Sequence, residues 1–274
     1  MEFTYIKDFL YSRFWWAQNE SPPVIICPYV HAWEAPDIKH RFGLDEPHGK
    51  KLDFFLWQDL KGIGPERAFE YCWNQFPDKD IIIMHSDMSP MPDDKTNAWY
   101  DALLRFRKNL PRAGMIACNL FYPRQVGSEA PRVQCAGGTF AGGQIGYIHG
   151  LVSDSGDSQG MVSKSTLERV RPVDWVTFGG VLIRRRVINE CGPIDRRYEW
   201  AYVMDVDYCF EARSRGYQLF QVPVYLQHEG SRTTQTVSTD KPELLASHRR
   251  NFELFYDKWG SSPIIKRGRP LSLL

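Results

Sequence analysis

The stretch Ile81-Ile82-Ile83-Met84-His85-Ser86-Asp87 decides the fold of this chain. Four consecutive apolar residues without alternation read as a strand buried on both faces, as in parallel sheets covered by helices. The run stops at His85-Ser86-Asp87, so a carboxylate emerges abruptly where the strand leaves the sheet. Pro90, Pro92, Asp93 and Asp94 follow and lead into a predicted helix around residues 98–107. Ligands of open α/β sheets bind beyond the carboxyl ends of the strands, which makes Asp87 a candidate for chemistry. A turn or helix cap beside Ser89 and Pro90 is the plainer use of the same residue.

Working outward, Val24-Ile25-Ile26-Cys27 reads as an earlier strand ended by Pro28, and Phe54-Phe55-Leu56-Trp57 as a second that stops at Asp59. Gly62 and Gly64 make a turn before a helix over 66–76. Apolar strands alternating with helices predict a parallel sheet covered on both faces. Downstream, 114–120 reads as a further strand. From Tyr122 to Val170 the composition turns Gly- and Ser-rich, predicting short hairpins at Gly137-Gly138 and Gly142-Gly143 and a mobile loop over 154–160. Asp154-Ser155-Gly156-Asp157 lacks the twelve-residue ligand pattern of a calcium loop. Order returns at Trp175-Val176-Thr177-Phe178 and Val181-Leu182-Ile183; a helix is predicted over 205–215, a closing strand over 219–226 and a helical tail over 241–259.

The 274 residues suffice for one large α/β domain with appendages. The predicted division is a helical extension at 1–20, a catalytic domain at 21–235 and a tail at 236–274 packed on the core. In the extension, Phe3, Ile6, Phe9, Leu10 and Phe14 fall at near-helical spacing, and Lys/Arg are too few for a membrane-surface helix. It is expected to pack on the core or on a second copy, a possible homodimer. A net charge of +1, with no basic stripe, argues against nucleic acid as the partner. Cys27, Cys72, Cys118, Cys135, Cys191 and Cys209 form no CxxC pair and read as buried free thiols of a reducing compartment. No apolar run reaches the roughly 20 residues of a membrane span and no signal peptide is read, so the expectation is a soluble, cytoplasmic protein.

Two further constellations carry chemistry. Met204-Asp205-Val206-Asp207 opens a predicted helix; a carboxylate there is either stabilised by the helix dipole or free to act as a general base. The two aspartates point about 200° apart around a helix, so only one can face a cleft. His228 follows the closing strand, where it is either structural or a metal ligand that tilts preference toward Mn2+ over Mg2+. A metal held at Asp87 would bridge the oxygens of a diphosphate and offset the charge of its departure.

In order and spacing these residues resemble the inverting family 2 glycosyltransferases of GT-A fold, especially rhamnosyltransferase-like members. The likeness runs over 22–235. Its carriers are Val24-Ile25-Ile26-Cys27-Pro28-Tyr29, Asp59, His85-Ser86-Asp87, Val173-Asp174-Trp175-Val176-Thr177-Phe178-Gly179-Gly180, Ile183-Arg184-Arg185, Gly192-Pro193-Ile194-Asp195, Asp205-Val206-Asp207, Gly216, Pro223 and His228. The stretch from Phe252 to Gly260 also looks like the family's ending. The resemblance implies a Rossmann-like mixed sheet flanked by helices and an inverting hexosyl- or pentosyltransferase. That enzyme would move a sugar from a UDP- or dTDP-sugar to a hydroxyl of a glycan acceptor, in polysaccharide or glycoconjugate synthesis. It further implies Asp87 and His228 as ligands of Mn2+ (or Mg2+), Asp205 as general base, and Pro28, Tyr29, Asp59, His85 and Ser86 as donor-binding residues. Asp207 is left to cap its helix or bind a neighbouring backbone. His85 departs from the usual first acidic residue of the metal motif, Met204 from the usual Glu before the base, and Glu211 from a common Arg, which leaves a supporting ion pair open.

Two other readings compete. A sugar-1-phosphate nucleotidyltransferase needs a Gly-rich, basic loop after the first strand, where this chain has Pro28-Tyr29-Val30-His31-Ala32-Trp33. A catalytically inactive nucleotide-sugar or glycan-binding module would have no need of Asp87, Asp205 and His228 together, and all three are present.

Overall fold

The apolar run at 81–83 lies near the middle of a large mixed sheet, every residue of it fully buried. A computed structural model describes residues 21–46, 51–123, 130–141, 143–200, 202–230 and 242–260; the predicted extension at 1–20 lies outside them. In chain order the elements begin β1 (Val24–Tyr29), α1 (Glu34–Arg41), β2 (Phe54–Gln58), α2 (Pro65–Asn74), β3 (Ile81–Ile83), β4 (Met88–Pro90), α3 (Ala98–Asn109) and β5 (Ala113–Phe121). There follow β6 (Arg132–Cys135), β7 (Gly138–Ala141), β8 (Gln144–Tyr147), β9 (Gly150–Ser153), β10 (Met161–Ser163), α4 (Lys164–Leu167) and β11 (Arg171–Pro172). The chain continues with β12 (Val181–Ile183), α5 (Arg185–Cys191), α6 (Met204–Ser214), β13 (Gln218–His228) and α7 (Pro242–Trp259).

Local chemistry explains the helix starts. Pro65 opens α2 after Gly64, whose φ of 91° suits glycine, and Phe69, Cys72 and Trp73 then fall on one buried face. The Asp94 carboxylate accepts from the Ala98 and Trp99 amides at 2.8 and 2.9 Å and so satisfies two orphan donors of α3. The α1 and α5 helices have no counterpart in the sequence reading: each is short, and the apolar period of α1 rests on Ile38 as its one buried hydrophobic residue.

The sheet is mixed rather than wholly parallel. Its order is β10-β9-β6-β5-β12-β3-β1-β2, with β13 paired to β5, β4 and β11. Parallel pairing holds for β2–β1–β3 and for β5–β13, while β12 runs antiparallel between β3 and β5. The reversal follows from the point of entry. Gly180, at φ 64°, donates its amide to the Ile83 carbonyl at 2.9 Å, so the chain joins β12 level with the end of β3 and must run back. The predicted order at 175–178 is extended backbone joined to Gly138 by an isolated bridge, not a strand of the main sheet.

The segment 122–170 is also more regular than its composition predicts. β6, β9 and β10 extend the main sheet and β7–β8 is a hairpin with Gly143 at φ 79° in its connection. Val133, Ala136 and Val162, together with Phe121 and Leu167, form a second small core beneath it. The stretch predicted as a mobile loop is fastened by Asp157, whose carboxylate accepts from the Ser163 amide and the Thr166 hydroxyl at 2.7 and 2.6 Å.

At the end of the sheet away from the His-Ser-Asp triplet, buried Asp80 takes Arg107 Nε at 2.8 Å, Arg184 Nη1 at 3.2 Å and the Arg185 amide at 2.8 Å. Five of the six free cysteines are buried and Cys191 is half-buried. Among the described residues no helix is long and apolar enough to cross a membrane.

Candidate active site

Parallel register lines up the carboxyl ends of three strands. Tyr29 pairs with Gln58 at the end of β1 and β2, and the next residue, Asp59, donates its amide to the Tyr29 carbonyl at 2.7 Å. Across β1, Ile26 pairs with Ile83, so the chain leaves β3 at the same rim with Met84, His85, Ser86 and Asp87. On the far side, β13 pairs antiparallel with β4 and sets His228 opposite Met88. Pro28, Tyr29, Asp59, His85, Ser86, Asp87 and His228 therefore share one rim of the sheet.

Three of them converge. His228 Nε2 lies 3.0 Å from Asp87 Oδ1 and 3.3 Å from His85 Nδ1, and the ligand atoms of the three side chains all lie within 4.8 Å of one another. Atoms bound to one cation at about 2.0–2.2 Å sit roughly 3–4 Å apart, so the spacing fits a shared metal. Ring orientation and protonation point the same way. His228 Nδ1 lies 2.5 Å from Gln134 Oε1 on β6, which orients the ring and leaves Nε2 facing Asp87 and His85. Burial, and then His228, push His85 down to about 4 against the opposing pull of Asp87, so its imidazole is neutral near pH 7. Two ring nitrogens and a carboxylate oxygen this close call for a cation or a proton among them. The donor set of two imidazoles and one carboxylate suits Mn2+ or a similar ion.

The candidate base lies close by. Asp205 stands in the first turn of α6, half-buried, and its Oδ1 accepts from the Val206 amide at 2.9 Å. Burial raises its carboxyl above the usual aspartate value, against the hydrogen bonds from Val206, Thr177 and Phe178. The Phe178 backbone acts on both groups, pulling the Asp205 carboxyl down and the His85 ring up. Burial and then the Asp205 charge push up the Tyr147 phenol of β8. Trp200, Tyr202 and Val203, just before α6, have φ of 59°, 60° and 68°. Left-handed backbone costs a non-glycine residue on the order of 1–2 kcal/mol, and such strain concentrates at functional sites.

Asp207 is bound by side chains, in place of the expected helix cap or bond to a neighbouring backbone. Its Oδ1 accepts from Tyr198 Oη at 3.0 Å and Trp259 Nε1 at 2.7 Å, and its Oδ2 from Lys258 Nζ at 2.9 Å. It is 2% exposed and ties α6 to α7. The α6 start has no side-chain cap at all. Lys258 also lies 3.4 Å from Glu211 and 3.7 Å from Asp195, so Glu211 has a cationic partner supplied by the tail.

Four contributors escaped the sequence reading. Glu34 of α1, 4% exposed, accepts from the Val30 and His31 amides at 2.9 and 2.7 Å and from the Ser86 hydroxyl at 2.6 Å. Arg41, a turn or two along α1, donates to the Ser86 and Met88 carbonyls. With these, α1 braces the loops after β1 and β3 together. Gln134 orients His228, and Phe178 links His85 to Asp205. Glu34 and Arg41 lie on α1, a short helix with a single buried hydrophobic residue to announce it, and an amide side chain and a backbone peptide carry no signal of their own.

No protein-family model matches this sequence, and no curated protein matches it. Among solved structures it is similar to A197 from STIV, with TM-score 0.39 and 11% identity, over 76% of this chain and 81% of that one. It is also similar to GalNAc-T7 with UDP, GalNAc and Mn2+, with TM-score 0.46 and 11% identity. That match covers 76% of this chain and 44% of the GalNAc-T7 chain, so this chain spans less than half of that length.

Proposed function

We propose that the chain is a metal-dependent, inverting glycosyltransferase acting on a nucleotide-diphosphate sugar, UDP- or dTDP-linked, and on a glycan hydroxyl. The observation that carries the reading is the inward-facing His85–Asp87–His228 set at the rim of β3, joined through Phe178 to Asp205. His85, Asp87 and His228 would hold Mn2+ or Mg2+. A bound divalent cation would supply charge stabilisation for the departing diphosphate.

The remaining steps belong to the chain's own groups. Pro28, Tyr29 and Asp59 would line the nucleotide at the ends of β1 and β2. The Ser86 hydroxyl is committed to Glu34, so its part in donor binding would run through its backbone. The Asp205 carboxylate would take the proton of the acceptor hydroxyl as that oxygen bonds the anomeric carbon. The old bond from that carbon to the diphosphate breaks, and its electron pair leaves with the diphosphate. Burial lifts the Asp205 carboxyl toward a better base than an exposed aspartate. Tyr147 and the rest of the hairpin are proposed to contact acceptor or donor sugar.

The test is a panel of UDP- and dTDP-sugars incubated with Mn2+, read as nucleoside diphosphate release and as thermal stabilisation. Release of UDP or dTDP from at least one donor, lost in Asp205→Asn, supports the reading. Binding without any release under Mn2+ or Mg2+ would replace it with a nucleotide-sugar-binding module.

A further inference from the structure

The first turn of α6 is reached through backbone that its side chains disfavour. Trp200, Tyr202 and Val203 lie at positive φ, a genuine outlier for a β-branched residue such as valine. Such geometry persists only where the surroundings over-determine it. Those surroundings are on α7. Asn251, 1% exposed, accepts from the Glu199 amide at 3.2 Å. Its Nδ2 donates to the Glu199 carbonyl at 2.8 Å and the Tyr202 carbonyl at 3.2 Å. Farther along α7, Lys258 and Trp259 hold Asp207, so one helix grips the chain on both sides of Asp205.

We propose that Asn251 is the positioning residue of this site: from α7 it fixes the turn before α6 and thereby the direction of Asp205. The inference rests on the role proposed for Asp205 above. An amide suits the task because it offers one acceptor and two donor hydrogens on a short planar group. A carboxylate would lose both donors, and leucine of similar volume would lose all three bonds.

Two measurements on the full chain test this, amide hydrogen exchange and transfer kinetics. In Asn251→Leu, exchange at Glu199, Tyr202 and Val203 should accelerate at least ~10-fold, with β5 and β13 unchanged. Its kcat should fall roughly 10–100-fold, the cost of a misplaced group, with donor KM within about 2-fold. On an Asp205→Asn background the same substitution should change kcat by less than about 2-fold, because a removed base cannot be misplaced again. Equal losses on both backgrounds would mean a merely structural asparagine and overturn the proposal, as would unchanged exchange. If the leucine variant does not fold, Asn251→Ser takes its place with the same two readouts. A parent chain that transfers from no nucleotide sugar overturns the glycosyltransferase reading instead. The exchange comparison then decides by itself whether Asn251 holds the turn.

Discussion

The His85 ring and the Asp205 carboxylate share one partner, the backbone of Phe178. One group follows β3, the other opens α6, and the peptide between them belongs to the extended segment that feeds β12. The peptide of Phe178 therefore lies between the candidate metal ligand and the candidate base. The segment 175–178 is buried although it is not a strand, because Trp175, Val176 and Phe178, at most 1% exposed, pack into the main core.

Asp205→Asn should keep the fold and the affinity for a UDP- or dTDP-sugar and lose about 10²–10⁴-fold in turnover. Amide and carboxylate have nearly the same size, and the Asn oxygen can still accept from the Val206 amide. Turnover within a few-fold of the parent would place the base elsewhere.

Metal dependence should be complete for turnover. Chelation should abolish it, and Mn2+ should restore it more fully than Mg2+ given two imidazole ligands. Gln134→Ala, which removes the acceptor that orients His228, should weaken Mn2+ affinity by roughly 10–100-fold. Isothermal titration with Mn2+ alone reads that loss without any substrate. Equal affinity in parent and Gln134→Ala would show that Gln134 does not set the His228 ring for the metal.

Asp207→Asn should act on stability and not on the chemical step. It weakens contacts with Tyr198, Lys258 and Trp259 in a buried site, at a cost of roughly 1–3 kcal/mol. The expected signature is a lowered melting temperature with kcat per folded molecule preserved. A melting temperature equal to the parent's would contradict the anchoring role.

Gly138→Ala should be as damaging as a core mutation. A Cβ there would stand 1.9 Å from Trp175 Cε2, and the indole, which donates to the Gly146 carbonyl at 3.2 Å, has no room to retreat. Overpacking of this kind costs about 1–3 kcal/mol. Denaturant unfolding of the variant measures it, and a midpoint matching the parent's would show that Trp175 can move freely.

Stability should fall on acidification in a window set by Asp195. The Arg197 side chain beside it, against some burial, holds its carboxyl down to about 2, below an unfolded value near 3.8. A depressed carboxyl contributes stability that is present above its unfolded pKa and lost as pH falls through its folded one. Asp195→Asn should therefore flatten the loss between about pH 4 and 2. Acid titration followed by circular dichroism compares the two, and identical slopes would remove Asp195 from the account.

The chain's own order of residues determined the strands β1, β2, β3 and β5, and the places where their carboxyl ends deliver Asp59 and Asp87. Unbroken runs such as Ile81-Ile82-Ile83 can be buried only in a sheet covered on both faces, and a polar residue after such a run must lie at its rim. The same logic found His228 at the end of β13. Sequence could not give the direction of β12, because that depends on Gly180 meeting Ile83 at the rim. The hairpin of β7 and β8 was legible from its glycines, but not that β6, β9 and β10 extend the main sheet, since that depends on which strand edges meet. Asp205 and Asp207 look alike as text, and the helical phase says only that they diverge. Which of them faces the rim and which faces α7 was decided by Phe178 on one side and by Lys258 and Trp259 on the other. These are contacts between segments remote in sequence, set by packing and not by local propensity, which is why only the tertiary structure assigns them.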